Sequence, residues 1–231
     1  MKHYEEVVAE LRSIRDEKYR AFNERIANIP SGSSIGVRIP ALRAYAKALV
    51  RTEGFSLEAL FTFPNEIYEI RLLQCLCVGY CKMPFGERVG WIRRAVSILD
   101  GWSVCDIFCA TLRIPQAVKG DFLTEIEYYV RHRSQFSQRF AYVMLLGSYV
   151  EEAYLPFIFS ALDRAETQYY YTHMGAAWLL CEVLVKFYDA GVAYLKEGAL
   201  DEKTKRKAVQ KACESFRLTV GQKNFLKLLK K

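Results

Sequence analysis

The chain has 231 residues, of which 52% are hydrophobic and 26% charged, so it can bury a sizeable core. This balance excludes a disordered protein apart from the last few residues, and no run approaches the roughly 18–20 apolar residues of a membrane span. The net charge of +7 and a pI near 9.0 favour a polyanionic partner, of which nucleic acid is the commonest. An ordinary basic protein would show the same charge.

The seven cysteines point to a reducing compartment. Most of them fall in apolar helical runs, where an unoxidised cysteine behaves as a small hydrophobic residue. No histidines stand beside them to complete a zinc pattern, so we expect buried thiols, no metal and no cofactor. Residues 1–20 are charged and amphipathic, which predicts no signal peptide. The expected location is therefore the cytoplasm.

Hydrophobic residues recur at helical spacing almost throughout the chain and predict an all-α protein. No period-two segment is bounded by hairpin turn signals. In chain order the predicted helices are Tyr4–Ala27, Leu42–Val50, Glu66–Cys81, Phe85–Ile98, Val104–Leu112, Ala117–Arg131, Gln138–Tyr149, Ala153–Leu162, Tyr169–Tyr188, Lys203–Ser215 and Gly221–Lys230. The segment Asn28–Arg38, which contains Pro30 and Gly32, is expected to be a flexible loop.

The helices are organised as repeats. Prolines stand at several predicted helix starts, and segments Ile70–Tyr80 and Arg139–Tyr149 each have a basic start, an apolar run and a tyrosine at the end. A pitch of roughly 35–40 residues fits two-helix repeats of the HEAT or armadillo type. We therefore predict one domain over residues 1–231, a C-shaped solenoid with a concave basic face. An irregular helical bundle is the alternative.

A candidate site begins in the segment Asp100-Gly-Trp-Ser-Val-Cys-Asp106. Trp102 and Asp106 are four residues apart, on one face of a helix, where a ring and a carboxylate can stabilise a cation. Arg139 follows Trp102 by 37 residues and Trp178 follows Arg139 by 39, as expected for neighbouring repeats. We expect all four side chains to line one groove, although Asp106 could be a solvated carboxylate, the tryptophans core residues, and Arg139 a partner of Glu182.

Further basic residues form two patches. Arg38, Arg43 and Lys47 share a helical stripe, and Lys205 and Arg206 belong to the dense run Lys203–Lys207. Contact with nucleic-acid phosphates and simple solvation are equally compatible with either patch.

An ordered set of motifs resembles the DNA alkylation repair family of HEAT-like-repeat DNA glycosylases, the AlkD-like proteins. The set comprises Tyr19-Arg-Ala-Phe22, Ile35–Arg43, Tyr68-Glu-Ile-Arg71, Trp102-Ser-Val-Cys-Asp106, Arg139, Ala176-Ala-Trp178 and Gln210–Ser215. It spans nearly the whole chain, and the order of the motifs carries more weight than any one of them.

The resemblance implies excision of cationic N3- or N7-alkylpurines from double-stranded DNA by a monomeric enzyme. It matches Asp106 to the catalytic aspartate, which stabilises the positive charge developing on the deoxyribose and orients water. Trp102 and Trp178 match residues that pack on the sugar, and Arg139 matches a residue facing the DNA backbone. The resemblance also implies a shallow groove rather than a base-flipping pocket.

Two departures leave an alternative open. Members of the family carry a short helix after the first one, which reaches into the DNA minor groove, whereas the expected equivalent here, Asn28–Ser34, is a poor helix sequence. Cys181 also replaces a basic residue that often follows the second tryptophan. The alternative is a paralogue with weak or absent excision that binds DNA or protein. A metal-dependent hydrolase is disfavoured, because the histidines are scattered.

Overall fold

The computed structural model describes residues 2–229. These residues form fourteen α-helices and two short 3-10 turns, with no strand among them, which confirms the prediction of an all-α protein. None of the helices in residues 2–229 is both long enough and apolar enough to cross a membrane. The chain divides into two compact units, Met1–Arg113 and Ile114–Lys231, so the expectation of one domain stays a prediction.

The first unit contains seven helices. They are α1 (Tyr4–Ser13), α2 (Glu17–Ala27), α3 (Ile39–Leu49), α4 (Leu57–Leu60), α5 (Tyr68–Tyr80), α6 (Phe85–Ser97) and α7 (Trp102–Thr111). The most heavily buried of these is α5, which packs against α3 on one side and α7 on the other. Its run from Leu72 to Val78 is fully buried, so α5 forms the core of this unit.

The second unit contains the other seven. They are α8 (Lys119–Val130), α9 (Gln135–Ser148), α10 (Leu155–Asp163), α11 (Tyr170–Lys186), α12 (Tyr188–Glu197), α13 (Glu202–Glu214) and α14 (Val220–Leu228). Short 3-10 turns lead into α8 and α10. Here α11 is the central helix and packs against both α9 and α13.

In each unit, three alternate helices pack side by side. The order is α3, α5, α7 in the first unit and α9, α11, α13 in the second. This alternation is what a two-helix repeat requires. The solenoid itself and its concave basic face stay predictions.

The first predicted helix, Tyr4–Ala27, is wrong as a single element, because the chain breaks between Ser13 and Glu17. Asp16 caps the second helix by accepting a hydrogen bond from Tyr19 N at 2.9 Å. The amide of Asp16 donates to Gly36 O at 2.9 Å. A bond to a distant part of the chain therefore ends the first helix, although the apolar spacing continues through Ile14.

The segment between α2 and α3 contains no helix, as predicted, but its second half is not an exposed loop. Ser34, Ile35, Gly36 and Val37 are all buried. Only the first half, around Pro30, is open to solvent. The segment is therefore anchored in the first unit over residues 34–37, which the sequence did not predict.

Two helices were missing from the prediction. The four-residue α4 follows the N-cap Ser56, whose side chain accepts from Ala59 N at 3.3 Å. The predicted helix Tyr169–Tyr188 ends at Lys186, where Phe187 leaves the helical conformation with φ −131° and ψ 68°, and α12 begins at once. The predicted end of the last helix, Lys230, lies outside the described residues.

Candidate functional site

Trp102 and Asp106 lie on the first and second turns of α7. Both side chains are partly exposed, whereas the intervening Ser103, Val104 and Cys105 are buried. The helix therefore turns its apolar face into the unit and leaves the ring and the carboxylate on the other face, as the four-residue spacing predicts.

The start of α7 is fixed to the central helix α5. Tyr68 Oη and Ser103 Oγ are 2.6 Å apart, and burial raises the pKa of Tyr68 to about 12. Arg71 forms an ion pair with Asp100, two residues before α7 begins. These two contacts hold the first turn of α7, from which Trp102 projects.

The end of α7 is fixed by Arg43 of α3. The Nη1 group of Arg43 donates to Tyr80 Oη at 2.9 Å and to Thr111 Oγ1 at 2.8 Å. Its Nη2 group donates to Ile107 O, the residue after Asp106, at 3.4 Å. A single guanidinium thus joins α3, α5 and α7. Because α7 is held at both ends, Asp106 stands on a rigid element, as a preorganised carboxylate requires.

Glu69 is a buried carboxylate that the sequence analysis did not single out. Its Oε1 atom accepts from Gly36 N at 2.7 Å and Val37 N at 3.1 Å, and its Oε2 atom accepts from Ile35 N at 2.8 Å. The side chain is fully buried. Two motifs of the resemblance, Ile35–Arg43 and Tyr68–Arg71, therefore contact each other directly.

Arg139 and Trp178 lie on neighbouring helices of the second unit. Arg139 is on α9 and is only 5% exposed, and Trp178 is on α11 and is partly exposed. Gly175, one turn before Trp178, lies against Arg139: a Cβ atom at Gly175 would be 3.6 Å from both Cα and Cγ of Arg139. The packing of α9 on α11 thus places Arg139 against the helix that carries Trp178, and the expectation that all four predicted residues line one groove stays a prediction.

The predicted phosphate-binding residues differ in accessibility. Arg38 is exposed, pairs with Asp16 at 2.8 Å and lies over the Tyr19 ring. Hydrogen bonds from Tyr19 N and from Arg38 hold the pKa of Asp16 below its usual value. Lys47 is exposed and stands 5.2 Å from the centre of the Tyr80 ring.

The other predicted basic residues include two with internal partners. The guanidinium of Arg43 donates its hydrogen bonds to partners within the first unit, as described above. Lys205 is 7% exposed and pairs with Glu202 at 3.2 Å. Arg206 is exposed. A basic run on a helix therefore contains both solvated and buried members, because only some of its positions face outward.

The short helix α2 presents an apolar and basic surface that the prediction did not include. Phe22 is 50% exposed and Ile26 is 49% exposed, one turn apart. Lys18 and Arg25 are exposed beside them. Large apolar side chains that share a helix face with cations indicate a contact surface.

The cysteines are thiols, and five of the seven are buried. Burial raises the pKa of Cys75 and Cys77 well above the usual value, and that of Cys81 and Cys181 to about 11. Within residues 2–229 no group of histidine, cysteine and acidic side chains could hold a metal ion.

Comparison with known families decides the class of the chain. The sequence profile described as DNA alkylation repair enzyme matches residues 7–216. The chain belongs to this family. Searches of curated proteins and of solved structures gave no match. The DNA alkylation repair match spans both units and ends at Phe216, before α14 (Val220–Leu228). Membership of this family implies DNA as the partner.

Proposed function

We propose that this protein is a DNA glycosylase that removes cationic N3- or N7-alkylpurines from double-stranded DNA. The observation that carries the proposal is the position of Asp106. It is partly exposed, stands beside Trp102 on a helix held at both ends, and belongs to a chain of the DNA alkylation repair family.

Excision of a cationic purine needs little acid catalysis. Alkylation at N3 or N7 makes the purine cationic, so the base leaves as a neutral molecule when the bond from C1′ to the base nitrogen breaks. The electron pair of that bond goes to the base, and positive charge develops on the sugar. Water then bonds to C1′ and loses a proton. The proposed role of Asp106 is to stabilise the sugar cation and to orient that water.

The proposed roles of the tryptophans and Arg139 follow from their side chains. An aromatic face attracts a cation, so Trp102 and Trp178 suit a sugar that carries positive charge. The guanidinium of Arg139 suits a phosphate, but its burial restricts it to a backbone that approaches closely.

Contacts with the rest of the DNA backbone are proposed for Arg38, Lys47 and Arg206, which are exposed. For Arg43 and Lys205 the same role requires exchange of their present partners for phosphate oxygens. We further propose that α2 contacts DNA through Phe22 and Ile26, since it directly follows the first helix and exposes both apolar side chains.

The competing hypothesis is a DNA- or protein-binding module without excision. Its support is the segment Asn28–Ser34, which contains no helix. The break at residues 14–16 supports the glycosylase instead, because it leaves a separate helix, α2, after the first one, which we propose as the counterpart of the family's DNA-inserting helix. We propose a monomer that acts in the cytoplasm, where its thiols stay reduced.

Single-turnover release of 7-methylguanine from a methylated duplex tests the proposal. We expect release by the native chain and a loss of about 100-fold or more with Asp106→Asn, which keeps the shape and removes the charge. Asp189→Asn, on the exposed face of α12, is the matched control and should keep the native rate. Equal rates for Asp106→Asn and the native chain would exclude the assigned role. Binding to the duplex without release by any of the three would favour the module.

A further inference from the structure

A groove of about 950 Å³ opens on the first unit. It lies between the end of α3, the turn before α4, the end of α5 and the start of α6. A second cavity of about 500 Å³ continues it towards the end of α7 and shares Lys47, Tyr80 and Lys82 with it. Neither Trp102 nor Asp106 lines either cavity.

The walls of this groove are strongly basic. Lys47, Arg51, Lys82 and Arg113 line the two cavities, all are exposed, and none has an ion-pair partner among residues 2–229. One acidic residue of the groove, Glu58, is already paired with Arg94 at 2.6 Å. Glu87 is the other acidic residue in the lining. The groove therefore carries an excess of positive charge.

Capping of helix ends does not account for these cations. Cationic side chains often bind the last carbonyl groups of a helix, and the groove surrounds the end of α5. Arg88 already does this for α5, because its guanidinium donates to Val78 O at 2.7 Å, Gly79 O at 3.0 Å and Cys81 O at 2.7 Å. Lys47 and Lys82 are therefore not needed to bind the last carbonyl groups of α5.

The groove also contains aromatic surface on a fixed floor. Tyr80 and Trp91 line it and are partly exposed. Arg43 holds the Tyr80 hydroxyl, and α5 approaches α7 so closely that a Cβ atom at Gly79 would stand 2.6 Å from Thr111 Cγ2. Arg94 packs on the Trp91 ring at 4.6 Å from its centre. Both rings are therefore preorganised.

We propose that this groove binds a single-stranded segment of nucleic acid. Unpaired cations along a groove follow a phosphodiester backbone, and aromatic side chains stack with unpaired bases of any sequence. A volume near 950 Å³ accommodates one or two nucleotides. The site is separate from Asp106 and does not rest on the excision reaction.

Binding of a labelled eight-residue oligothymidylate, followed by fluorescence anisotropy at several salt concentrations, tests the proposal. Lys82→Glu should raise the dissociation constant about tenfold and reduce the salt dependence, because a phosphate contact becomes a repulsion. Lys227→Glu, on the exposed face of α14, changes the net charge equally and should leave the constant within about twofold. Melting temperatures of both variants should equal that of the native chain.

A second readout locates the strand. The chain has three tryptophans, so Trp102→Phe with Trp178→Phe leaves Trp91 as the sole indole. We expect the oligonucleotide to quench its fluorescence, and Lys82→Glu to remove the quenching at the same concentration. Adding Asp106→Asn to every variant separates this test from the excision reaction.

Two results would overturn the proposal. One is an equal effect of Lys82→Glu and Lys227→Glu on the single strand, which would reduce the groove to ordinary surface charge. The other is an equal effect of Lys82→Glu on the single strand and on a duplex of the same sequence, without quenching of Trp91. That result would mean that the groove contacts only the sugar-phosphate backbone and does not stack with unpaired bases.

Discussion

Glu69 accepts a 2.7 Å hydrogen bond from the amide of Gly36 and thereby joins the segment after α2 to the central helix of the first unit. The same carboxylate also accepts from Ile35 N and Val37 N. A carboxyl group that accepts from three buried amides is a strong arrangement, because buried amides without partners are costly. The relationship fixes the position of α2, which leads into this segment.

We expect Glu69→Gln to lower the free energy of unfolding by about 3 kcal/mol, because an amide NH₂ would face backbone N–H donors. Urea unfolding followed by circular dichroism measures the loss. Glu66→Gln, three residues earlier and exposed, is the control and should change stability by less than about 0.5 kcal/mol. A fall of similar size in both variants would contradict the role given to Glu69.

Gly36 allows the close approach at this point. Its φ is +95°, and a Cβ atom would stand 2.6 Å from Arg20 Cβ and 2.9 Å from Asp16 O. Gly36→Ala should cost about 2–4 kcal/mol, from backbone strain together with the clash. Gly32→Ala has φ +82° but open space around it, so it should cost only about 1 kcal/mol. The difference in melting temperature between the two variants isolates the clash.

Arg43→Met tests whether Arg43 supports the fold. It removes the bonds to Tyr80 and Thr111 but keeps the apolar stem, so unfolding free energy should fall by about 2 kcal/mol. Lys47→Met, one turn later and exposed, should change it by less than about 0.5 kcal/mol. Equal free energies of unfolding for the two variants would contradict a structural role for Arg43.

The exposed side chains of α2 give a prediction about DNA affinity alone. We expect Phe22→Ala to weaken binding of duplex DNA about tenfold, since the ring would bury its surface against the duplex. Melting temperature should fall only slightly, because half of the Phe22 side chain is already exposed. Phe216→Ala, which is fully exposed between α13 and α14, is the control. Filter binding of the two variants gives the comparison, and an equal affinity would exclude α2 from the interface.

His173 predicts a pH dependence of stability. Burial, and then Lys203, lower the pKa of His173, whose Nδ1 lies 2.7 Å from Thr204 Oγ1. The unfolded chain therefore takes up a proton at a higher pH than the folded one does. Stability should fall as the pH drops below about 6.5 and level off below the folded pKa. His173→Gln should flatten the curve of melting temperature between pH 7.5 and 5.5, and an unchanged slope would contradict this.

Local pattern was enough for most of the helices and for part of the candidate site. The helices around Tyr68–Tyr80 and Phe85–Ser97 were predicted to within about two residues, because their apolar spacing is continuous and buried. For the same reason, the four-residue spacing predicted that Trp102 and Asp106 lie on one face of the helix, and both are partly exposed. Periodicity reports which side of a helix faces inward.

Long-range contacts were not predictable from the same pattern. The break before α2 depends on a bond between Asp16 and Gly36, 20 residues apart, and the anchoring of residues 34–37 depends on Glu69. Arg139 precedes a buried run and resembles a surface cation in sequence, yet it is 5% exposed, with Gly175 of α11 packed against it. A signal for Glu69 was present, since it directly precedes the long apolar run of α5, and a carboxylate that is buried with such a run has to find donors.

The raised thiol pKa values have a chemical consequence for a protein of this family. Electrophiles that alkylate purines also attack sulfur, and they react with the thiolate rather than the thiol. With a pKa of about 11, Cys81 and Cys181 are ionised to only about one part in ten thousand at pH 7. Cys75 and Cys77 are fully buried and ionise still less. Burial in the helical core thus protects Cys75, Cys77 and Cys181 from the reagents whose damage to DNA the family repairs, whereas the half-buried Cys81 is protected by its raised pKa alone.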